Sequence, residues 1–427
     1  MAWYSATPMS RPHKHAPVTP PANRPALWLL LAAISAAVYA LLYFFPALFW
    51  YVGVQHYDIW FGDTYALLAS GDAVTQGLNP YVPNPLDFFH RPHVYSHWWL
   101  AIRHLGLTRA DISWLGPLVV IAAWLTALRV LRPRTTAQFW FSLAVLISSP
   151  VILAFERANN DLVIFLLLAP VVSCLMSSRG WIRSCAPVLI GVAAGLKYYP
   201  ATAGLLLMFS RDRRRLVVMG IVILAFVAIS VAQDLAIFGP LAPKPSGWLS
   251  FGASTLFTSF GVEGRLPAVL SLLGAALIFA WGWWSTRLSE WEASPEKSAT
   301  ALKFILSAVL LSGCFFTSVN FSYRWIFAAW LPPFLWELSS DQSVPSRARS
   351  LAKATSWLLV AVLWLDTVFT WVAIVIQGKV APDSIRAWVR VSIMIEQPIT
   401  WAFFACLLVF LARFTKHGIR ALVSSPS

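Results

Sequence analysis

Residues 27–52 read LWLLLAAISAAVYALLYFFPALFWYV, an unbroken apolar run without a charged side chain. A helix of about 20 such residues crosses the ~30 Å hydrocarbon core of a bilayer. Further apolar runs follow at 112–131, 136–154, 162–177, 216–238, 266–285, 301–319, 325–338, 354–376 and 391–414. Backbone amides find no water partner in lipid, so spanning segments are helices or closed barrels. The alternating pattern of a barrel strand is absent from these runs. The expected fold is therefore all-α, a polytopic transmembrane bundle of about ten spans, and one domain covers residues 27–414 between basic tails at 1–26 and 415–427.

Composition agrees with that reading. The 427 residues are 58% hydrophobic and 12% charged, against ~45–50% apolar in soluble chains. The net charge of +14 would suggest nucleic acid in a soluble protein. Here Lys and Arg fall in short gaps between apolar runs, where topology and anionic headgroups require them, so nucleic acid is excluded and membrane lipids are the expected partner. Cys174, Cys185, Cys314 and Cys406 form no CxxC or Cys/His cluster, which implies neither a disulfide framework nor a zinc site. The first run is too long for a signal-peptide core and has no clear small-residue cleavage site, so it reads as an uncleaved span.

Positive charge sorts the loops. One set carries Arg11/Lys14/Arg24, Arg129/Arg132/Arg134, Arg179/Arg183, Arg211 to Arg215, Arg287/Lys297/Lys303, Arg347/Arg349/Lys353 and Arg413/Lys416/Arg420, about two-thirds of the 32 basic residues. Those loops and both termini are expected in the cytoplasm. The opposite set, 53–111, 156–161, 239–265, 320–324 and 377–390, is expected outside. An even number of crossings must then lie between Arg183 and Arg211. Lys197-Tyr198-Tyr199-Pro200 interrupts that stretch, and proline removes an amide donor and disfavours helix before it. A broken-helix hairpin lining a polar cavity is expected; the alternative is one kinked span with a snorkelling lysine.

The long first external loop, 53–111, is not linker-like. It holds Asp58, Asp63, Asp72 and Asp87, five histidines and many aromatics, and loops of that length without a role are uncommon. Asp58 and Asp63 lie just beyond the first span, where a carboxylate can take a proton from a hydroxyl beside a lipid-borne donor. Alternatively, Asp63 caps an interfacial helix. A second constellation, Glu156-Arg157-Ala158-Asn159-Asn160-Asp161, is a compact polar turn between two apolar runs. Arg157 suits a phosphate; equally, Asn160 and Asp161 can cap the next helix while Glu156 pairs with Arg157. A third turn, Asn320-Phe321-Ser322-Tyr323-Arg324, brings another arginine, and Lys197 adds a cation from the break. His90, His93 and His97 lack an HExxH-like pattern, and no metal site or cofactor is expected.

Asp63, the turn Gly77-Leu78-Asn79-Pro80-Tyr81, the Glu156–Asp161 turn, Gly195-Leu196-Lys197-Tyr198-Tyr199-Pro200 and Asn320-Phe321-Ser322-Tyr323-Arg324, in that order over most of the chain, resemble glycosyltransferase family 87. The resemblance implies a polytopic GT-C enzyme with a polyprenyl-phosphate-linked sugar donor, often mannose, and inverting transfer to a lipid or glycan acceptor on the external face. It also implies a catalytic aspartate in the first external loop, which maps to Asp63 by its spacing to the Gly-x-Asn-Pro-Tyr turn, with Asp58 as competitor. Two departures bear on the acceptor side. His93-Val94-Tyr95-Ser96-His97 stands where many relatives carry Tyr-Pro-Pro, and Glu156-Arg157-Ala158 replaces the usual Gly-Gln.

The expected site thus comprises Asp63 or Asp58 as base, Arg157, Arg324 and Lys197 on the donor phosphate, and Glu156, Asn159, Asn160, Asp161, Asn320 and Tyr323 around the substrates. A bacterial inner membrane is the expected location. The competing function is a transporter or flippase for a lipid-linked or anionic solute, which would also account for Asp234 and Asp366 within apolar runs. Two features speak against it: polar residues crowd one external face, and no internal repeat appears. A polysaccharide polymerase or ligase would favour a large late external loop, whereas the longest here is the first.

Overall fold

The computed structural model describes residues 25–54, 56, 59–238, 241, 250–285, 295–317, 319–376 and 382–424. Asp58, residues 1–24 of the N-terminal tail and the last three residues lie outside the described residues.

The chain is an all-α polytopic membrane protein. Its α-helices are α1 (Pro25–Phe44), α2 (Gly62–Thr75), α3 (Ile112–Val130), α4 (Thr136–Leu146), α5 (Ser149–Glu156), α6 (Asn160–Leu168), α7 (Val171–Met176), α8 (Gly180–Leu196), α9 (Arg213–Phe238), α10 (Ser254–Ser259), α11 (Leu266–Trp284), α12 (Ala299–Thr317), α13 (Pro332–Ser340), α14 (Ser346–Ile376) and α15 (Pro382–Ser424). Two short strands, β1 (Ser250–Phe251) and β2 (Asn320–Phe321), pair antiparallel with Ser250 opposite Phe321.

Among the described residues, seven helices are long and apolar enough to cross a membrane, or eight if the bent pair α4–α5 is one span. The remaining apolar runs of the sequence are divided, each at an identifiable residue. The run 136–154 bends by 49° between α4 and α5, where Ser148 is extended and Pro150 opens the next helix. The run 162–177 splits into α6 and α7 at Pro170. Residues 325–338 divide into a 3-10 helix, Ser322–Trp330, and α13, with Pro332 at the junction. A proline has no amide to give the preceding turn and its ring clashes there. At the other end, α15 runs through Ser424, so the helix continues past residue 414.

The break at Lys197 is present. Helix α8 ends at Leu196, Lys197 takes an extended conformation (φ −144°, ψ 139°), and a 3-10 helix, Tyr199–Phe209, follows with Pro200 in its first turn. The two segments pack on one another and on α9. At ~1.5 and ~2 Å of rise per residue, each is roughly two-thirds or more of a bilayer core in length, which suits the hairpin rather than one kinked span.

Helix α12 is the axis of the bundle. It is 78% buried, against 17% for α1 and α11 and 22% for α9. Aromatic rings fill the space beside it: Phe315 stacks on Phe404 with centroids 3.9 Å apart, and Phe165 stacks on Trp330 at 4.4 Å. Exposed side chains such as Ile229, Leu277 and Trp284 cover the outer helices, as a lipid-facing surface requires.

Candidate active site

The loop 53–111 folds onto the turn between α5 and α6. Phe61, in the left-handed region at φ 60°, donates its amide to the Glu156 carbonyl (2.9 Å), and the Asp63 amide donates to the Arg157 carbonyl (3.1 Å). The Thr64 hydroxyl donates to the carbonyl of Ala158 (2.6 Å). Ala158 itself has φ 39°, a strained conformation for a residue with a Cβ and one held only by surrounding bonds. These three bonds set the start of α2 beside the turn.

Asp63 does not cap α2. Phe61 occupies that position and no side chain caps the helix. The Asp63 carboxylate, buried to 8% exposure, instead receives the Asn159 amide on Oδ2 at 2.5 Å and faces the Arg91 guanidinium on Oδ1 at 3.4 Å. Asn159 has a second duty, since its Oδ1 accepts the Asp161 amide (2.9 Å) and caps α6.

Next to this lies a buried ionic cluster built from four segments. Asp161, fully buried, receives Lys197 Nζ at 2.5 Å and the Tyr199 hydroxyl at 2.7 Å on Oδ1. Arg324 Nε stands 3.7 Å from its other oxygen. The Arg324 guanidinium lies over the Tyr199 ring at 4.7 Å, and Lys197 lies between the rings of Tyr95 and Tyr323, at 5.6 and 5.7 Å. Cations over aromatic faces are stabilised by the ring quadrupole. Lys197 is thus turned inward, away from lipid. Burial pushes the Tyr95 phenol well up, as does the nearby charge of Asp63, so Tyr95 is a neutral wall of the cluster.

The predicted residues divide between this cluster and its edges. Asp63, Asn159, Asp161, Lys197, Tyr323 and Arg324 come together. Glu156 and Arg157 pair with each other at 2.8 Å, and Glu156 also meets His56 Nδ1 at 2.9 Å. Asn320 lies in β2 and donates its amide to the Cys314 carbonyl. Asn160 is fully buried, and neither end of its amide has a hydrogen-bond partner among the described residues. Such an amide costs about 1–3 kcal/mol per unmet group, which points to a ligand or water at that position.

Other polar groups hold the loop. Arg91 binds Asp87 through Nε and Nη2, both at 2.9 Å, and gives Nη2 to the Gly62 carbonyl at 2.8 Å. Burial alone would lower the Arg91 pKa, but its bonds to Asp87 and the charges of Asp87 and Asp63 raise it. Asp234, near the end of α9, takes the His97 ring at 2.9 Å and the His97 amide at 3.1 Å. His93 is buried and its pKa falls to about 4, chiefly through that burial. Arg91, Tyr95 and Tyr199 were not legible as site residues; the one signal for Arg91 is a cation four positions after an aspartate in an otherwise acidic loop. No group of three or more metal-ligating side chains occurs among the described residues.

An apolar cavity of about 450 Å³ opens between α1, α3, α5 and the 3-10 helix Pro46–Val52, with Tyr39, Phe49, Pro117 and Trp124 in its walls. Trp60, Phe61 and Glu156 line it as well, so it reaches the residues next to Asp63.

The family model of glycosyltransferase family 87 matches residues 98–313, just over half of the sequence. The chain belongs to glycosyltransferase family 87. As a member of that family it is a membrane glycosyltransferase. The matched part of this family 87 chain contains the 156–161 turn and Lys197, whereas Asp63 and Arg324 lie outside it and join the site through the fold. No curated protein matches the sequence. Two solved structures of ArnT from Cupriavidus metallidurans are similar at 13% identity. The one bound to undecaprenyl phosphate has a TM-score of 0.35, with 90% of this chain and 77% of that chain covered. The apo form has a TM-score of 0.34, with 91% and 77% covered.

Proposed function

We propose that this glycosyltransferase moves a hexose, mannose being the first candidate, from a polyprenyl-phosphate donor to a hydroxyl of a lipid or glycan acceptor on the external face, with inversion. The observation that carries the reading is the adjacency of two carboxylates and two cations: Asn159 links Asp63 to Asp161, and Asp161 links to Lys197 and Arg324. Lys197 and Arg324 together outweigh the single charge of Asp161, so these three side chains carry a positive excess that a donor phosphate would meet. Fixed cations in an enclosed site stabilise charge that develops on a leaving group. Arg157, already paired with Glu156, is a less direct phosphate ligand, placed at the rim by that pairing. The unsatisfied Asn160 amide suits a sugar hydroxyl, and the apolar cavity beside Trp60 suits an isoprenoid chain.

In the reaction the acceptor oxygen attacks the anomeric carbon from the side opposite the phosphate. The bond from that carbon to the phosphate oxygen breaks, its electron pair leaves with the phosphate, and the acceptor proton passes to Asp63. Inversion follows from this single displacement. The transition state resembles an oxocarbenium ion, which a neighbouring carboxylate favours. The membrane proposed is a bacterial inner membrane, with both termini in the cytoplasm and the cluster at its outer face.

The reading is tested in membranes supplied with radiolabelled polyprenyl-phosphate sugars and total lipid extract. Removing a positioned base costs ~10²–10⁴ in rate, so Asp63→Asn should lose nearly all transfer at unchanged abundance. Near-normal transfer by Asp63→Asn with a dead Asp58→Asn variant moves the base to Asp58. Full activity in both overturns the enzymatic role of this loop.

A further inference from the structure

We infer that Arg91 is a positioning residue that fixes the Asp63 carboxylate so that Oδ1 is the atom receiving the acceptor proton, an inference that rests on Asp63 being the base. The two oxygens of Asp63 have unequal surroundings. Oδ2 is taken by the Asn159 amide at 2.5 Å, and Asn159 cannot turn without releasing the Asp161 amide from its own Oδ1. Among the described residues, the hydrogen bond to Oδ1 comes from Arg91 Nη1 at 3.4 Å, too long to be a strong one. That oxygen keeps its lone pairs for a substrate while a cation beside it limits its rotation.

Arg91 is itself held rigidly. Asp87, 2% exposed, binds it through two parallel bonds to Nε and Nη2, the geometry in which arginine is most specific. Oδ2 of Asp87 also accepts the amides of Phe89 and Arg91 (3.1 and 2.9 Å). The third tie, from Nη2 to the Gly62 carbonyl, fixes the guanidinium to the first turn of α2, one residue from Asp63. The other groups facing Asp63 are Tyr95 from the same loop, Lys197 at the end of α8 and Tyr323 from the 3-10 helix Ser322–Trp330. Lys197 already pairs with Asp161, which leaves Arg91 as the cation whose position is tied to Asp63. The guanidinium is partly exposed, at 31% of its side chain against 11% for that of Asp63.

The test is a double-mutant cycle in the radiolabelled-sugar assay, with Arg91→Gln, Arg91→Lys, Asp87→Asn, Asp63→Asn and Arg91→Gln in the Asp63→Asn background. Misplacing a reacting group by about 1 Å costs on the order of 10²-fold. Arg91→Gln should lower kcat by about 10- to 100-fold with KM for both substrates within about twofold, and Arg91→Lys should recover part of the loss. Asp87→Asn, which weakens the hold on Arg91 and leaves an amide oxygen for the backbone amides of Phe89 and Arg91, should fall between Arg91→Lys and the wild type. In the Asp63→Asn background, Arg91→Gln should change the residual rate little, because a residue acting through Asp63 has nothing left to position. An equal loss in both backgrounds, or no loss from Arg91→Gln alone, overturns the role. A fully active Asp63→Asn variant overturns the underlying base assignment instead. Should Arg91→Gln not accumulate, the same comparison is made with Arg91→Lys and Asp87→Asn.

Discussion

The long helices and the broken ones do different work. Helices α1, α9 and α11 are continuous, apolar around most of their circumference and 17–22% buried. Helices α5 and α6 have eight and nine residues, and every residue of α5 is buried. Continuous helices satisfy all their backbone groups internally and tolerate lipid on every side. Broken ones leave terminal amides and carbonyls unmet, so they survive only inside protein, where polar side chains meet them. Asn159 capping α6 is such a side chain, while Lys197, at the end of α8, gives its Nζ to Asp161. The polar machinery of this glycosyltransferase sits at the helix ends because those are the places in the bundle that need polar groups.

The contrast is most exposed to refutation at Asp161. Replacing one partner of a buried ion pair leaves an uncompensated charge and costs ~3–5 kcal/mol, so Asp161→Ala should sharply lower the abundance of folded protein, read by thermal unfolding in detergent. An unchanged melting temperature would mean that the cluster is solvated and that the inner helices are not held by it. Next in size is a pH effect in the loop. The His93 pKa is lowered from 6.5 to about 4 by burial, so the unfolded loop binds the proton more readily. The stabilisation is complete above about pH 6.5 and is lost progressively as pH falls toward 4, amounting to about 3 kcal/mol. Hydrogen exchange of residues 84–99 should therefore speed up over that window in the wild type and less in His93→Gln.

Smaller effects sharpen the same comparison. A Cβ on Gly195, at the C-terminal end of α8, would stand 2.2 Å from the Trp98 ring, which is anchored by its Nε1 donating to Ser230 Oγ. Overpacking of this kind costs ~1–3 kcal/mol, and Gly195→Ala should lower the melting temperature correspondingly. Ile229, on the outer face of α9 at 77% exposure, should tolerate alanine within about 0.5 kcal/mol. Equal losses at the two positions would remove the distinction between outer and inner helices.

Sequence alone determined the all-α membrane class, because hydrocarbon permits few ways to satisfy a backbone and a run such as 27–52 has no soluble use. It also located the break at Lys197, since proline acts locally whatever surrounds it, and it named Asp63, Asn159, Asp161, Lys197, Tyr323 and Arg324 through the ordered motifs of family 87. The division of three apolar runs was less legible, although Pro150, Pro170 and Pro332 mark each break, because apolar length says nothing about whether the ends find partners. Tertiary structure decided the pairings. Whether Asp63 caps its helix or faces Asn159 depends on a bond between residues about a hundred positions apart. Arg91 shows the reason most directly: the sequence places it four residues after Asp87, but only the docking of α2 on the 156–158 turn brings Asp63 within reach of the same guanidinium.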